Sequence, residues 1–167
     1  MMNKDNYVWY VSYGSNILFE RFNIYLTGID SPRFKLSNPV KTIPDPPLEY
    51  KFIEIPYELY FAKRASRWED KGVAFIDPNK PSKTYAKAYL ITKEQFESVM
   101  SQEGAWYSNK IVLDDIDGIP AMTFTSHERY EFVEPSLTYL NVIKEGLLEH
   151  YSLEEVERYF KQAIKNL

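Results

Sequence analysis

The first apolar run of the chain, Val8-Trp9-Tyr10-Val11-Ser12, is β-branched and aromatic and predicts a buried strand. Tyr13-Gly14-Ser15-Asn16 interrupts it, and Asn16 is placed to N-cap a helix carrying Leu18, Phe22 and Tyr25 on one face, with Gly28 to end it. From Asp30 to Pro56 the pattern breaks at Pro32, Pro39, Pro44, Pro46, Pro47 and Pro56. Proline removes a donor and clashes with the preceding helical turn, so this stretch predicts long irregular connections with a strand over Tyr50 to Ile55. Tyr57 to Ala62, Gly72 to Ile76 and Thr84 to Ile91 predict further strands.

Helical spacing returns at Thr92-Lys93-Glu94-Gln95, a capping box leading into Phe96, Val99 and Met100 and ending near Gln102-Glu103-Gly104. Lys110 to Ile116 and Ile119 to Thr125 flank Asp117-Gly118, the signal of a type I′ hairpin. Pro135-Ser136 opens a helix with Leu137, Leu140, Ile143 and Leu147 facing one way. A second capping box, Ser152 to Glu155, precedes a stripe of Leu153, Val156, Tyr159, Phe160, Ala163, Ile164 and Leu167. With no repeats and no interdomain linker, this order predicts a single domain over residues 1–167, of α+β class with a largely antiparallel or mixed sheet.

Composition narrows the chemistry. At 167 residues and 44% hydrophobic the chain can bury a real core. It has no Cys, which removes disulfides, thiolate nucleophiles and sulfur-ligated zinc, and its two His are too few for a multi-histidine metal centre. A net charge of −4 argues against a nucleic-acid partner. The polar start, Met1 to Asn6, and the short apolar run Val8 to Val11 do not make a signal segment, and nothing approaches the roughly 18 apolar residues of a spanning helix. The expectation is a cytoplasmic protein with no membrane partner.

Two places carry candidate chemistry. A Gly turn that opens a helix, as at Tyr13-Gly14-Ser15-Asn16, presents backbone N–H groups to a carboxylate or a developing oxyanion, and Gly14 lets a ligand approach the backbone. Glu103 stands at a helix C-terminus, where a carboxylate is slightly unfavourable, so its presence is consistent with a non-structural reason.

Trp9 to Asn16 (WYVSYGSN) resembles the signature that opens γ-glutamylcyclotransferases and related AIG2-like proteins. Trp68 to Ile76 (WEDKGVAFI), Thr84 to Gly104 with its closing Glu-Gly pair, and Pro135-Ser136-Leu137-Thr138-Tyr139 are similar to later segments of that family, in the same order. The resemblance implies a small mixed, barrel-like β-sheet with peripheral helices. It implies a reaction without cofactor or metal, in which the α-amine of a γ-glutamyl group attacks its own γ-carbonyl and releases 5-oxoproline and a free amine. It also implies Glu103 as general base, with Tyr13, Gly14, Ser15, Asn16 and Tyr139 binding the small-molecule γ-glutamyl substrate. A free Glu has a pKa of about 4.3, so partial burial should raise it toward usefulness, and Trp106, Tyr107 and Met100 are near enough in sequence to supply an apolar wall.

The loop can grip the substrate carboxylate, stabilise the γ-oxyanion, or both. The stretch from Gly28 to Arg67 is longer and more Pro-rich than its counterpart in the family, and the identity of the leaving amine would be decided there. Asp114, Asp115 and Asp117 fit a polar hairpin end better than a cation site, and His127 and His150 fit the surface. Lys63, Arg64 and Arg67 fit a solvated strand end, with steering of an anionic substrate as the other reading. Ser12 and Ser15 lack adjacent triad partners. Two rivals remain: a non-catalytic binder of small carboxylate metabolites using the same pocket, and an enzyme that removes a γ-glutamyl group from a pathway intermediate or a modified side chain.

Overall fold

A computed structural model describes residues 3–36 and 42–164, so that Pro39 and Leu167 lie outside the described residues. Five strands, β1 (Tyr7–Ser12), β2 (Tyr50–Ala65), β3 (Lys71–Thr92), β4 (Asn109–Ile116) and β5 (Ile119–Thr125), form one sheet in the order β2-β3-β1-β5-β4. All pairs are antiparallel except β1 with β5, which makes the sheet mixed, as expected. It does not close. Its edges, β2 and β4, face each other across a cleft of about 280 Å³ lined by Ile53 and Tyr57 on one side and Leu113 and Ile116 on the other.

The strand at the centre is apolar from Val8 to Val11 because both of its faces are covered. Trp9 and Val11 of β1, with Ala86, Ala88 and Leu90 of β3, join the larger core. Helices α3 (Leu137–Leu147) and α4 (Leu153–Ile164) complete it with Ile143, Leu147, Val156 and Tyr159. Val8 and Tyr10, with Tyr89 and Ile91, face the opposite way and pack against helices α1 (Phe19–Thr27) and α2 (Lys93–Glu103) through Phe22, Tyr25, Phe96 and Val99. Among the described residues, no helix is long and apolar enough to cross a membrane.

Local signals are realised where one residue decides the geometry. The capping box at Thr92 forms both of its bonds, as does the one at Ser152. Gly28 ends α1 in the left-handed conformation, and Asp117-Gly118 turns the β4–β5 hairpin with φ of 52° and 77°. Prolines inside extended segments do not end them. The strands expected on either side of Pro56 are one strand, β2, with register shifts at Ile55/Tyr57 and Tyr57/Glu58, and β3 runs continuously through Pro78 and Pro81.

Two helical faces are corrected. In α3 the buried positions are Tyr139, Val142, Ile143, Gly146 and Leu147, while Leu137 is 77% exposed. This face turns inward because Gly146 lies against the 3₁₀ turn Ser15–Ile17, where a Cβ would meet Ile17 Cγ2 and Leu18 N at 2.7 Å. In α4 Leu153 is exposed, and the stripe begins at Val156.

The segment Phe132–Pro135 crosses the turn end of the β2–β3 hairpin before entering α3. Val133 N–H donates to Phe61 O at 3.0 Å, and Gly72 N–H donates to Glu134 O at 2.9 Å. A Cβ on Gly72 would stand 1.9 Å from Val133 O, a backbone atom that cannot swing aside. Gly72→Ala should therefore destabilise the protein by about 2–3 kcal/mol, read as a lower urea midpoint at unchanged m-value. A wild-type midpoint in that variant would contradict this packing.

Candidate active site

The end of β1 and the end of α2 meet at one cavity. A niche of about 40 Å³ is lined by Tyr10, Tyr13, Gly14, Ser15, Asn16, Glu103 and Tyr139 among others. It adjoins a chamber of about 440 Å³ that shares Ser15, Glu103, Tyr107 and Tyr139 with it. Every residue expected to bind or react thus lies at one place in the fold.

Asn16 does not cap a helix. The 3₁₀ turn Ser15–Ile17 intervenes, α1 starts after Leu18 with no side-chain cap, and the Asn16 side chain points inward. Its Nδ2 donates to Glu103 Oε1 at 3.0 Å and to the Tyr10 hydroxyl at 3.0 Å. The turn closes with Ile17 N–H to Gly14 O and Leu18 N–H to Ser15 O, leaving the N–H groups of Ser15 and Asn16 as its free leading donors. Tyr89, buried on β3, directs its hydroxyl to the carbonyls of Asn16 and Ile17 at 2.8 and 3.1 Å.

Tyrosines set the remaining walls. The Tyr13 hydroxyl donates to Phe124 O at 2.8 Å, and the Tyr107 hydroxyl donates to Ala74 O at 2.8 Å. Ala74 N–H in turn donates to the Tyr139 hydroxyl at 3.0 Å, so the two phenols hold the backbone on both sides of one residue of β3. Gly14 leaves room for this: a Cβ there would approach the Tyr139 oxygen to 2.9 Å. Burial pushes the Tyr10 and Tyr139 phenols upward, and the Glu103 charge adds to the effect, so both stay protonated.

Glu103 is half-buried at the last position of α2, before Gly104 at φ 92°. Burial raises its carboxyl above the ordinary carboxylate value. Arg21, Arg67 and hydrogen bonds from Asn16 and Tyr25 pull in the opposite direction. Arg21 Nη2 and Arg67 Nη1 both donate to the Tyr25 hydroxyl, at 2.9 and 3.1 Å. A phenol oxygen that accepts twice has its one hydrogen left to offer to the carboxylate.

Arg21 and Tyr25 are residues beside Glu103 that sequence reading missed. Tyr25 was legible as part of the apolar stripe of α1, and the signal available was Arg21 itself, a cation three residues after Leu18 and four before Tyr25 on that stripe. Arg64, Arg67 and Trp68, at the far end of the β2–β3 hairpin, line the chamber, so Arg64 and Arg67 do more than end a strand. Lys63 instead lies over the Tyr130 ring at 3.9 Å. Trp106 and Tyr107 line the chamber, whereas Met100 packs on the α1–α2 side of the sheet.

Residues set aside in the sequence lie elsewhere. Ser12 Oγ donates to Lys87 O, His127 is exposed, and His150 stacks on Phe52 at 4.8 Å. Asp114 and Asp115 are exposed, and Asp117 pairs with Lys51. Among the described residues no group of three or more His, Cys, Asp or Glu is arranged to hold a metal ion.

Between pH 4 and 7 the raised carboxyl of Glu103 has a stability signature. A native carboxyl that stays protonated to higher pH than its unfolded counterpart binds more protons in the native state, so stability falls as pH rises through that window. Glu103→Gln cannot titrate, and its urea stability relative to wild type should therefore improve from pH 4 to pH 7. A constant difference across that range would contradict the raised value.

No protein-family model matches the chain. It is similar to an Arabidopsis thaliana protein named histone deacetylase 5, with 29% identity over 202 aligned positions covering 94% of this chain. The chain spans 31% of that relative's length. Among solved structures it is similar to a gamma-glutamyl cyclotransferase (TM-score 0.68, 19% identity, covering 92% of this chain and 86% of that one). An uncharacterized protein from Homo sapiens matches with TM-score 0.65 and 21% identity, over 92% of this chain and 86% of that one. YkqA from Bacillus subtilis matches with TM-score 0.62 and 19% identity, over 95% of this chain and 54% of its own. The chain has the fold of the γ-glutamyl cyclotransferase structures.

Proposed function

We propose that the protein is a γ-glutamylcyclotransferase, converting a γ-glutamyl amine or dipeptide to 5-oxoproline and a free amine with Glu103 as general base. One observation carries this reading: the Glu103 carboxylate and the Tyr13–Asn16 turn share a cavity and touch through Asn16 Nδ2, 3.0 Å from Glu103 Oε1. An amine bound beside the carboxylate would lie within reach of the N–H groups of Ser15 and Asn16.

The chemistry is balanced within one substrate. Glu103 accepts a proton from the α-ammonium, the freed amine attacks the γ-carbonyl carbon, and the N–H groups of the turn stabilise the oxyanion. The carbon–nitrogen bond to the departing amine then breaks as Glu103 passes that proton to its nitrogen, and Glu103 next takes the second proton of the attacking nitrogen and hands it to the released amine, which leaves as an ammonium. Two protons leave the attacking nitrogen and two reach the departing one, so no co-reactant is needed. Burial of Glu103 strengthens it as a base, and holding both reacting atoms in one folded molecule removes the entropy of bringing them together.

The test is 5-oxoproline release from a panel of γ-glutamyl dipeptides and γ-glutamyl amines. Glu103→Gln should lower turnover by about 10²–10⁴ while the fold persists by circular dichroism. Binding of these compounds without release, unchanged in the variant, would replace the enzyme with a carboxylate-binding module. In an active protein the acid limb of the pH–rate profile should lie above that of an ordinary Glu, because activity is lost as Glu103 takes up its proton. Tyr25→Phe removes a hydrogen bond that favours the charged form, so that limb should move to higher pH. An unmoved limb would remove Glu103 from the titration.

A further inference from the structure

The two edges of the sheet leave a slot between them. β3 and β4 run against β1 and β5, and β2 runs against β3, so β2 and β4 lie antiparallel across it. At one end Lys51 of β2 pairs with Asp117 of the β4–β5 turn, which ties the edges together. Beyond that tie they separate around the cleft of about 280 Å³, which shares no lining residue with the niche or the chamber.

The slot has an apolar floor and an acidic rim. Ile53, Tyr57, Leu113 and Ile116 line it and pack on the larger core. Trp9 Nε1 donates to Ile116 O at 3.1 Å and holds the β4 wall from within. Val112 lines the slot while 69% exposed, and Glu54, Asp114 and Asp115 line it as exposed carboxylates. Among the described residues none of these three has an ion partner, and no basic residue lines the slot.

Each edge also presents a row of backbone N–H and C=O groups with no strand beside it. Charged side chains commonly guard such edges against pairing. Here the charges have one sign, so a second copy would bring acid against acid, whereas a basic strand would be attracted.

We infer that the slot is a docking site for a short, extended, basic segment of another protein, which enters as a sixth strand. The segment adds to β4, whose edge carries no proline, and faces β2. Its alternate apolar side chains meet Ile53, Tyr57 and Leu113, and its Lys or Arg side chains meet Glu54, Asp114 and Asp115. Pro56 and the register shift between Leu113 and Ile116 confine regular pairing to a few residues, so the partner is a short motif. The slot lies outside the proposed catalytic machinery, and its test does not depend on turnover.

That test is calorimetry at low salt with the peptide acetyl-Lys-Val-Lys-Val-Lys-amide. It should bind, and acetyl-Glu-Val-Glu-Val-Glu-amide should not. Asp114→Asn combined with Asp115→Asn should weaken the lysine peptide about 3–10-fold, as loss of two exposed charge pairs would, and added salt should weaken it too. The same peptide N-methylated at its three central residues keeps its charge and loses backbone donors, so it should bind about tenfold or more weakly. No binding of the lysine peptide, equal affinity after methylation, or unchanged affinity in the double variant would each overturn strand docking. Sedimentation showing a dimer that Val112→Lys dissociates would give the slot to a second copy and overturn the basic partner.

Discussion

The hydrogen bond from Asn16 Nδ2 to Glu103 Oε1 joins two segments 87 residues apart, and much of the architecture serves to make it possible. Asn16 reaches inward because a 3₁₀ turn delays the start of α1, and that turn is fixed from two sides. Tyr89 holds its carbonyls from the sheet, and Gly146 lets α3 press on its other face. Glu103 arrives from the opposite direction at the end of a helix whose start is pinned by the Thr92 capping box. A shift of either element would leave a buried amide without its acceptor, which costs more than the bond itself contributes.

The same carboxylate sits between opposed electrostatic influences. Withdrawal from water favours its neutral form, while Arg21, Arg67 and the Tyr25 and Asn16 hydrogen bonds favour its charge. A base needs this tension: a carboxylate in open water is too weak to deprotonate an ammonium, and one buried without cations would not ionise at all. Tyr25 transmits the influence of two guanidiniums through a single oxygen. The pocket is thus closely hydrogen-bonded around this carboxylate and open in the adjoining chamber.

Much of this was legible in the chain because single residues decide it. The Gly28 cap, the Asp117-Gly118 turn and both capping boxes depend on local chemistry, and all formed where read. Glu103 and the Tyr13–Asn16 segment could be singled out, and the fold brings them together. What escaped depends on tertiary partners. Asn16 has the composition of a cap, and only Tyr10 and Glu103 on other elements draw its side chain away. Leu137 fits a helical stripe, but the close approach at Gly146 sets which face of α3 turns inward. Pro56 reads as a break between two strands, but a proline's missing donor is harmful only where a neighbouring strand requires it, and β2 runs through it.

That proline at position 56 bears on how the molecule behaves among copies of itself. β2 is 16 residues long and forms one edge of a sheet that does not close. A straight edge of that length would be a template on which a second chain could add a strand. Pro56 contributes no donor, and the register shifts around it bend the strand, so the edge is divided into two shorter pieces out of line with one another. An irregularity that looks like a defect in the hairpin thereby shortens the unbroken edge on which a second chain could add a strand.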